Sequence, residues 1–166
     1  VDQHPAWAPS QPRIFFSSER DRAVALWSVS PEGGPPRQIT LGTGSEGHPS
    51  FSADGARLAY ATARADEDVV LLDDRTGVEQ RLPSEGDQSM PALVPDGTGV
   101  VYVSDHQQSK EDLWYLPLPL SDEVRPRRIT DHPDAASHPV VSPDGQWIAY
   151  YRIIADQRDL WLVSLE

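Results

Sequence analysis

Residues 142–150 read Ser142-Pro143-Asp144-Gly145-Gln146-Trp147-Ile148-Ala149-Tyr150, and Asp159-Leu160-Trp161 follows after a short polar stretch. Pro143 presets φ at the first corner of a turn, Asp144 bonds back to its local backbone, and Gly145 accepts a positive φ. The run after the turn alternates apolar and small or polar residues, with aromatic and branched side chains, which is a strand signature. The same grammar recurs upstream. Ala53-Asp54-Gly55 precedes Arg57-Leu58-Ala59-Tyr60-Ala61, and Pro95-Asp96-Gly97 precedes Val100 and Tyr102.

Working outward, each copy is led by a dipeptide ending in Pro: His4-Pro5, His48-Pro49, Met90-Pro91 and His138-Pro139. The period is therefore 42 to 48 residues. Three columns keep step with it: Trp7, Phe51, Leu93 and Val141; Ile14, Leu58, Val100 and Ile148; Phe16, Tyr60, Tyr102 and Tyr150. A third strand is expected at Leu26 to Val29, Val69 to Leu72, Leu113 to Leu116 and Leu160 to Val163. A fourth is expected at Arg37 to Thr40, Gln80 to Leu82 and Arg127 to Thr130. No stretch sustains a capped helical period. Four short strands per unit at this period predict the blades of an all-β propeller, which bury their faces only by stacking. The predicted blades are 1–43, 44–86, 87–133 and 134–166, the last lacking its outer strand.

Composition narrows the function. The 166 residues carry 14 Lys plus Arg against 26 Asp plus Glu, a formal charge of -12. That sign argues against a nucleic-acid backbone as partner. Without Cys there are no disulfides, thiolate sites or Cys nucleophiles. No apolar run approaches the roughly 18 residues of a membrane helix. The chain opens on Val1, which we read as a processed or trimmed start.

The residues 142–150 with Asp159-Leu160-Trp161 resemble the TolB-type, WD-like Pro-Asp repeat, which is also similar to the propeller blades of prolyl-oligopeptidase-family peptidases. The resemblance covers nearly the whole chain. It implies a propeller and, since TolB is a periplasmic protein-interaction component, a periplasmic or secreted binding protein. Three features depart from the pattern: Ser10-Gln11 replaces Asp-Gly in the first unit, Val69-Val70 replaces Leu-Trp in the second, and the fourth unit stops after three strands. Such propellers usually have six or more blades. Three readings of the count stand: part of a larger propeller, a half-ring that closes as a homodimer, or a small open array.

His4, His48, Met90 and His138 are the candidate binding residues, at one mouth of the expected channel. The alternative assignment is a metal held by His4, His48 and His138, since imidazole is the commonest transition-metal ligand and lyases with similar propellers hold metals through channel histidines. Recurrence in almost every unit favours a structural role, and Met90 breaks the set. Asp54, Asp96 and Asp144 read as turn residues, and Asp68, Asp112 and Asp159 as loop-ordering ones. The five Trp residues read as core. The acidic stretch 66–68 with Asp73 and Asp74 reads as a solvated face. Gly42 to Gly47 matches a dinucleotide fingerprint but leads into a strand, so it reads as a linker. No nucleophile elbow, Walker loop or zinc-helix motif occurs, so no catalytic residue and no cofactor is assigned. The function expected is a non-catalytic scaffold for a protein, peptide or small ligand, with the longer segments 104–112 and 116–127 reaching past the blade edge. The alternative is the propeller portion of a larger enzyme, either a peptidase or a metal-dependent lyase.

Overall fold

The computed structural model describes all residues except 21, 22, 65, 84, 85, 107–109 and 156. Among the described residues there are fifteen strands in four antiparallel sheets. The first sheet is β1 (Asp2–Trp7), β2 (Ile14–Arg20), β3 (Ala23–Val29) and β4 (Arg37–Gln38). The second is β5 (Ser45–Phe51), β6 (Arg57–Ala63), β7 (Glu67–Asp73) and β8 (Glu79–Arg81). The third is β9 (Gln88–Leu93), β10 (Gly99–Ser104), β11 (Asp112–Pro117) and β12 (Arg127–Arg128). The fourth has three strands, β13 (Ala135–Val141), β14 (Trp147–Ile154) and β15 (Gln157–Ser164). Each sheet is a simple meander in sequence order. This is an all-β propeller with incomplete closure.

The turns form for the reasons their residues supply. The Asp54 carboxylate accepts from Ser52 Oγ at 2.6 Å and Ala56 N at 2.9 Å. Asp96 accepts from Thr98 Oγ1 and N, and Asp144 from Ser142 Oγ and Gln146 N. The hydroxyl bond is the main reason each carboxyl sits below its usual range. Gly55, Gly97 and Gly145 take φ near +70° beside them, which glycine alone accepts without a Cβ penalty. The first unit closes its turn without a glycine, through Ala8 N to the Arg13 carbonyl.

The core lies between sheets. Phe15, Leu26, Leu58 and Tyr60 join the first to the second. Val69, Val100, Tyr102 and Trp114 join the second to the third. Val101, Leu113, Ile148 and Tyr150 join the third to the fourth. Leu26, Leu113, Val100 and Ile148 are wholly buried, and each such side chain contributes about 1.5–3 kcal/mol of transfer free energy.

Three sequence expectations change. Among the Trp residues, Trp114 is core and Trp27 half-buried, while Trp7, Trp147 and Trp161 are exposed. Segment 116–127 does not reach outward. Leu118, Leu120 and Val124 fold back onto the core between the second and third sheets. Of segment 104–112, residues 107–109 lie outside the described residues. Glu67 is not on a freely solvated face: burial first, then Asp87 and Glu111, push its carboxyl upward.

Candidate functional site

Each innermost strand carries its His-Pro or Met-Pro dipeptide at an irregularity in its pairing. The register slips between Gln3 and Ala6, between Gly47 and Ser50, opposite Val101 to Val103, and between Ser137 and Val140. At each slip the residue before Pro is left-handed: His4 φ 51°, His48 φ 54°, Met90 φ 48° and His138 φ 51°. A non-glycine residue there costs on the order of 1–2 kcal/mol. Proline steers its predecessor away from the right-handed helical region, and the bulge turns that side chain out of the ladder. The sequence placed these dipeptides at strand starts. They lie inside longer strands, and the strain recurs in all four sheets.

The four side chains converge. The His4 and His48 rings lie 3.7 Å apart, tilted by 31°. His48 and His138 lie 6.2 Å apart, edge to face. His138 N donates to Met90 Sδ at 3.4 Å, linking the third sheet to the fourth. His4 Nδ1 lies 3.1 Å from Ser17 Oγ. Gly47 makes the His4 position possible, because a Cβ there would fall 2.9 Å from His4 Nδ1. Tyr151, unforeseen from sequence, closes the far side with its ring 5.9 Å from His138.

Burial, then the neighbouring His4 and His138, bring His48 down from 6.5 to about 4. Burial and His138 also lower His4. The stack is therefore neutral at pH 7. Beneath it opens a cavity of about 640 Å³, walled by Trp7, Phe51, Leu93 and Val141, the column matched in sequence. Its wall also holds Pro5, Pro49, Pro91 and Pro139, which lack an N–H. The site is an apolar cleft with the neutral His4 and His48 imidazoles among its polar handles. That suits binding and orientation of a ligand.

Among the described residues, no group of three or more His, Cys, Asp or Glu is placed to hold a metal ion. The repeated aspartates stay apart from the cavity. Asp112 is buried and clamps the outer strand of its sheet, accepting from Arg128, Thr130 Oγ1 and Lys110. Asp68 pairs with Arg81. The sequence reading of 42–47 as a linker changes at its end: Glu46 lies on β5, paired with Thr62, is also buried, and accepts from Thr40 Oγ1 and Thr43 N. Burial raises its carboxyl.

These features define a propeller with an apolar cleft walled by its four innermost strands. No family model matches the chain. An uncharacterised peptidase of Bacillus subtilis is 25% identical over 157 residues, which are 93% of this chain and 22% of that protein. An uncharacterised protein of Agrobacterium fabrum is 29% identical over 137 residues, covering 81% and 45%. The chain thus spans less than half the length of either relative. Among solved structures, one from Agrobacterium tumefaciens assigned as TolB superposes with a TM-score of 0.88 at 22% identity, over 99% of this chain and 62% of that one. TolB from Acinetobacter baumannii gives 0.82 at 19% identity, over 99% and 43%. An oligogalacturonate lyase in complex with manganese gives 0.71 at 18%, over 100% and 49%. The fold is that of a TolB-type β-propeller.

Proposed function

We propose that the chain is a non-catalytic binding scaffold of TolB type. Its cleft at His4, His48, Met90 and His138 takes an extended peptide segment or small ligand with an apolar side chain and a hydrogen-bonding group. The observation that carries this reading is the conjunction of strain and shape. Four left-handed residues, one per sheet, hold three imidazoles and a thioether over an apolar cavity. Strain that recurs at a cleft points to recognition. The TolB-type likeness supports a protein or peptide partner and a periplasmic or secreted location. The blades proposed are 1–43, 44–86, 87–133 and 134–166.

Selection of a phage-displayed random peptide library on the purified chain tests the reading. Selected peptides should bind at least about tenfold more weakly to Trp7→Ala and His48→Ala, the size expected for a lost aromatic anchor or handle. Equal binding to both variants removes the cleft from the function.

A second reading is the propeller portion of a larger enzyme. The peptidase likeness and the short span of each relative favour it. It predicts that the chain alone hydrolyses no peptide, and that a polypeptide joining it to a hydrolase domain does. The metal-dependent form of this reading requires His4, His48 and His138 to re-aim. Less than about a tenth of an equivalent of metal in untagged protein would end it. Homodimeric ring closure is likewise open to measurement, as the mass in solution by light scattering.

A further inference from the structure

We infer that a cavity where the second, third and fourth sheets meet takes an aliphatic polyamine, its ammonium groups received by Glu67, Asp87 and Glu111. The cavity measures about 420 Å³, and every residue lining it is among those described. Glu67 opens β7, Asp87 leads into β9, and Glu111 leads into β11. Ala135 of β13 completes the wall. Ala136 N donates to the Glu111 carbonyl at 3.0 Å, which ties the fourth sheet to this corner. The Asp87 carboxylate accepts from Glu67 N at 3.2 Å, which ties the second sheet to it. The walls thus belong to three consecutive sheets.

Two observations point to a ligand. The first is a hydroxyl. Ser89 is 8% exposed and lines the cavity, and among the described residues its Oγ has no hydrogen-bond partner. Buried polar groups are rarely left so. The second is unbalanced charge. Among the described residues no Lys or Arg pairs with Glu67, Asp87 or Glu111. Lys110 also borders the cavity, but its ammonium is taken by Asp112 at 3.1 and 2.8 Å and by the His132 carbonyl. The upward push on the Glu67 carboxyl, from burial and then from Asp87 and Glu111, has the same origin. The arrangement also selects the kind of cation. Among the described residues no three such groups are placed to hold one metal ion, so separate carboxylates call for separate positive groups. A linear amine supplies them, each ammonium with three donors and no acceptor. One of these donors meets Ser89 Oγ, and the methylenes between them cover Val103 and Ala135, the apolar part of the wall. A chain of charge -12 draws such a cation in.

The probe is spermidine, added to the intact chain in about 150 mM sodium chloride, where distant exposed charges are screened. Calorimetry should show one equivalent bound with Kd below about 1 mM. Glu67→Gln and Glu111→Gln should each weaken binding about threefold to tenfold, and Ser89→Ala about threefold. Asp74→Asn, which removes an exposed carboxylate outside the cavity, should change nothing. Several weak equivalents, equal losses from Asp74→Asn and Glu67→Gln, or full competition by magnesium chloride at matched ionic strength would mean surface screening only and overturn the inference. Indifference to both Gln substitutions also overturns it. Nα-acetyl-lysine amide, with one ammonium, should bind at least about tenfold more weakly than spermidine. Equal binding would give the cavity to a single lysine side chain and overturn the polyamine. Where a variant does not fold, the wild type decides: spermidine should move the Ser89 and Ala135 amide signals in NMR, and shifts confined elsewhere overturn the inference. Trp7→Ala and His48→Ala, which test the cleft, should leave this binding unchanged, so the two readings fail separately.

Discussion

Replacing His48 by Gln should flatten the dependence of stability on pH between about pH 7.5 and pH 5. His48 sits at about 4 in the folded chain against 6.5 unfolded. Above 6.5 neither state holds the proton, and the imidazole makes no difference. As pH falls below 6.5 the unfolded chain takes up a proton that the folded chain refuses, so stability falls until about pH 4. With about 1.4 kcal/mol for each tenfold change in proton affinity, the full difference is about 3 kcal/mol. About 2 kcal/mol of it would be lost by pH 5. The ring is only partly shielded from water, and screening reduces the expected loss at pH 5 to about 1 kcal/mol. Urea midpoints at the two pH values, for the wild type and His48→Gln, measure it. Glu46 and Glu67, whose carboxyls are raised, act in the opposite sense because the folded state protonates first. They are common to both proteins and cancel in the comparison. If the wild type loses no more stability than His48→Gln over this interval, the crowded, neutral imidazole stack is wrong.

Other perturbations probe separate links. Gly47→Ala should displace His4 from its stack and cost about 1 kcal/mol or more, seen as changed His4 ring shifts by NMR and a lower urea midpoint. Asp112→Ala should cost about 3–5 kcal/mol, because Arg128 and Lys110 lose a buried carboxylate. Thermal unfolding followed by Trp fluorescence would register it, and a loss under about 1 kcal/mol would contradict a clamping role. Ile148→Ala, at the wholly buried junction of the third and fourth sheets, should cost about 2–5 kcal/mol in denaturant unfolding.

The strands and their turns were legible because period and turn chemistry are local. Asp144-Gly145 and its relatives need nothing beyond their neighbours, and the matched column Trp7, Phe51, Leu93 and Val141 does line one cavity. The left-handed histidines were not legible. His before Pro carries no preference for positive φ, and the conformation follows from a slip in pairing that two strands must agree on. The Trp assignments failed for a related reason. Alternation tells which side chains share a face, but whether a face is covered depends on a neighbouring sheet. Trp114 faces the second sheet and is core, whereas Trp147 belongs to the last sheet and is exposed. Segment 116–127 alternates apolar residues with prolines, so no period revealed that Leu118, Leu120 and Val124 fold back. Glu46 was concealed by the glycines around it, and its partner Thr40 Oγ1 comes from the segment after β4.

The placement of the apolar core between sheets, rather than within them, gives three cores for four sheets among the described residues. Within residues 1–166 the second and third sheets are held from both sides, and the first and fourth from one. Melting should therefore begin at the ends and travel inward, as in a stack whose free energy resides in its joints. Deleting residues 134–166 would not produce a trimmed, self-sufficient remainder. It would bare Val101, Val103 and Leu113, which the fourth sheet now covers. Wherever such a stack is cut, the cut exposes one whole joint of apolar surface.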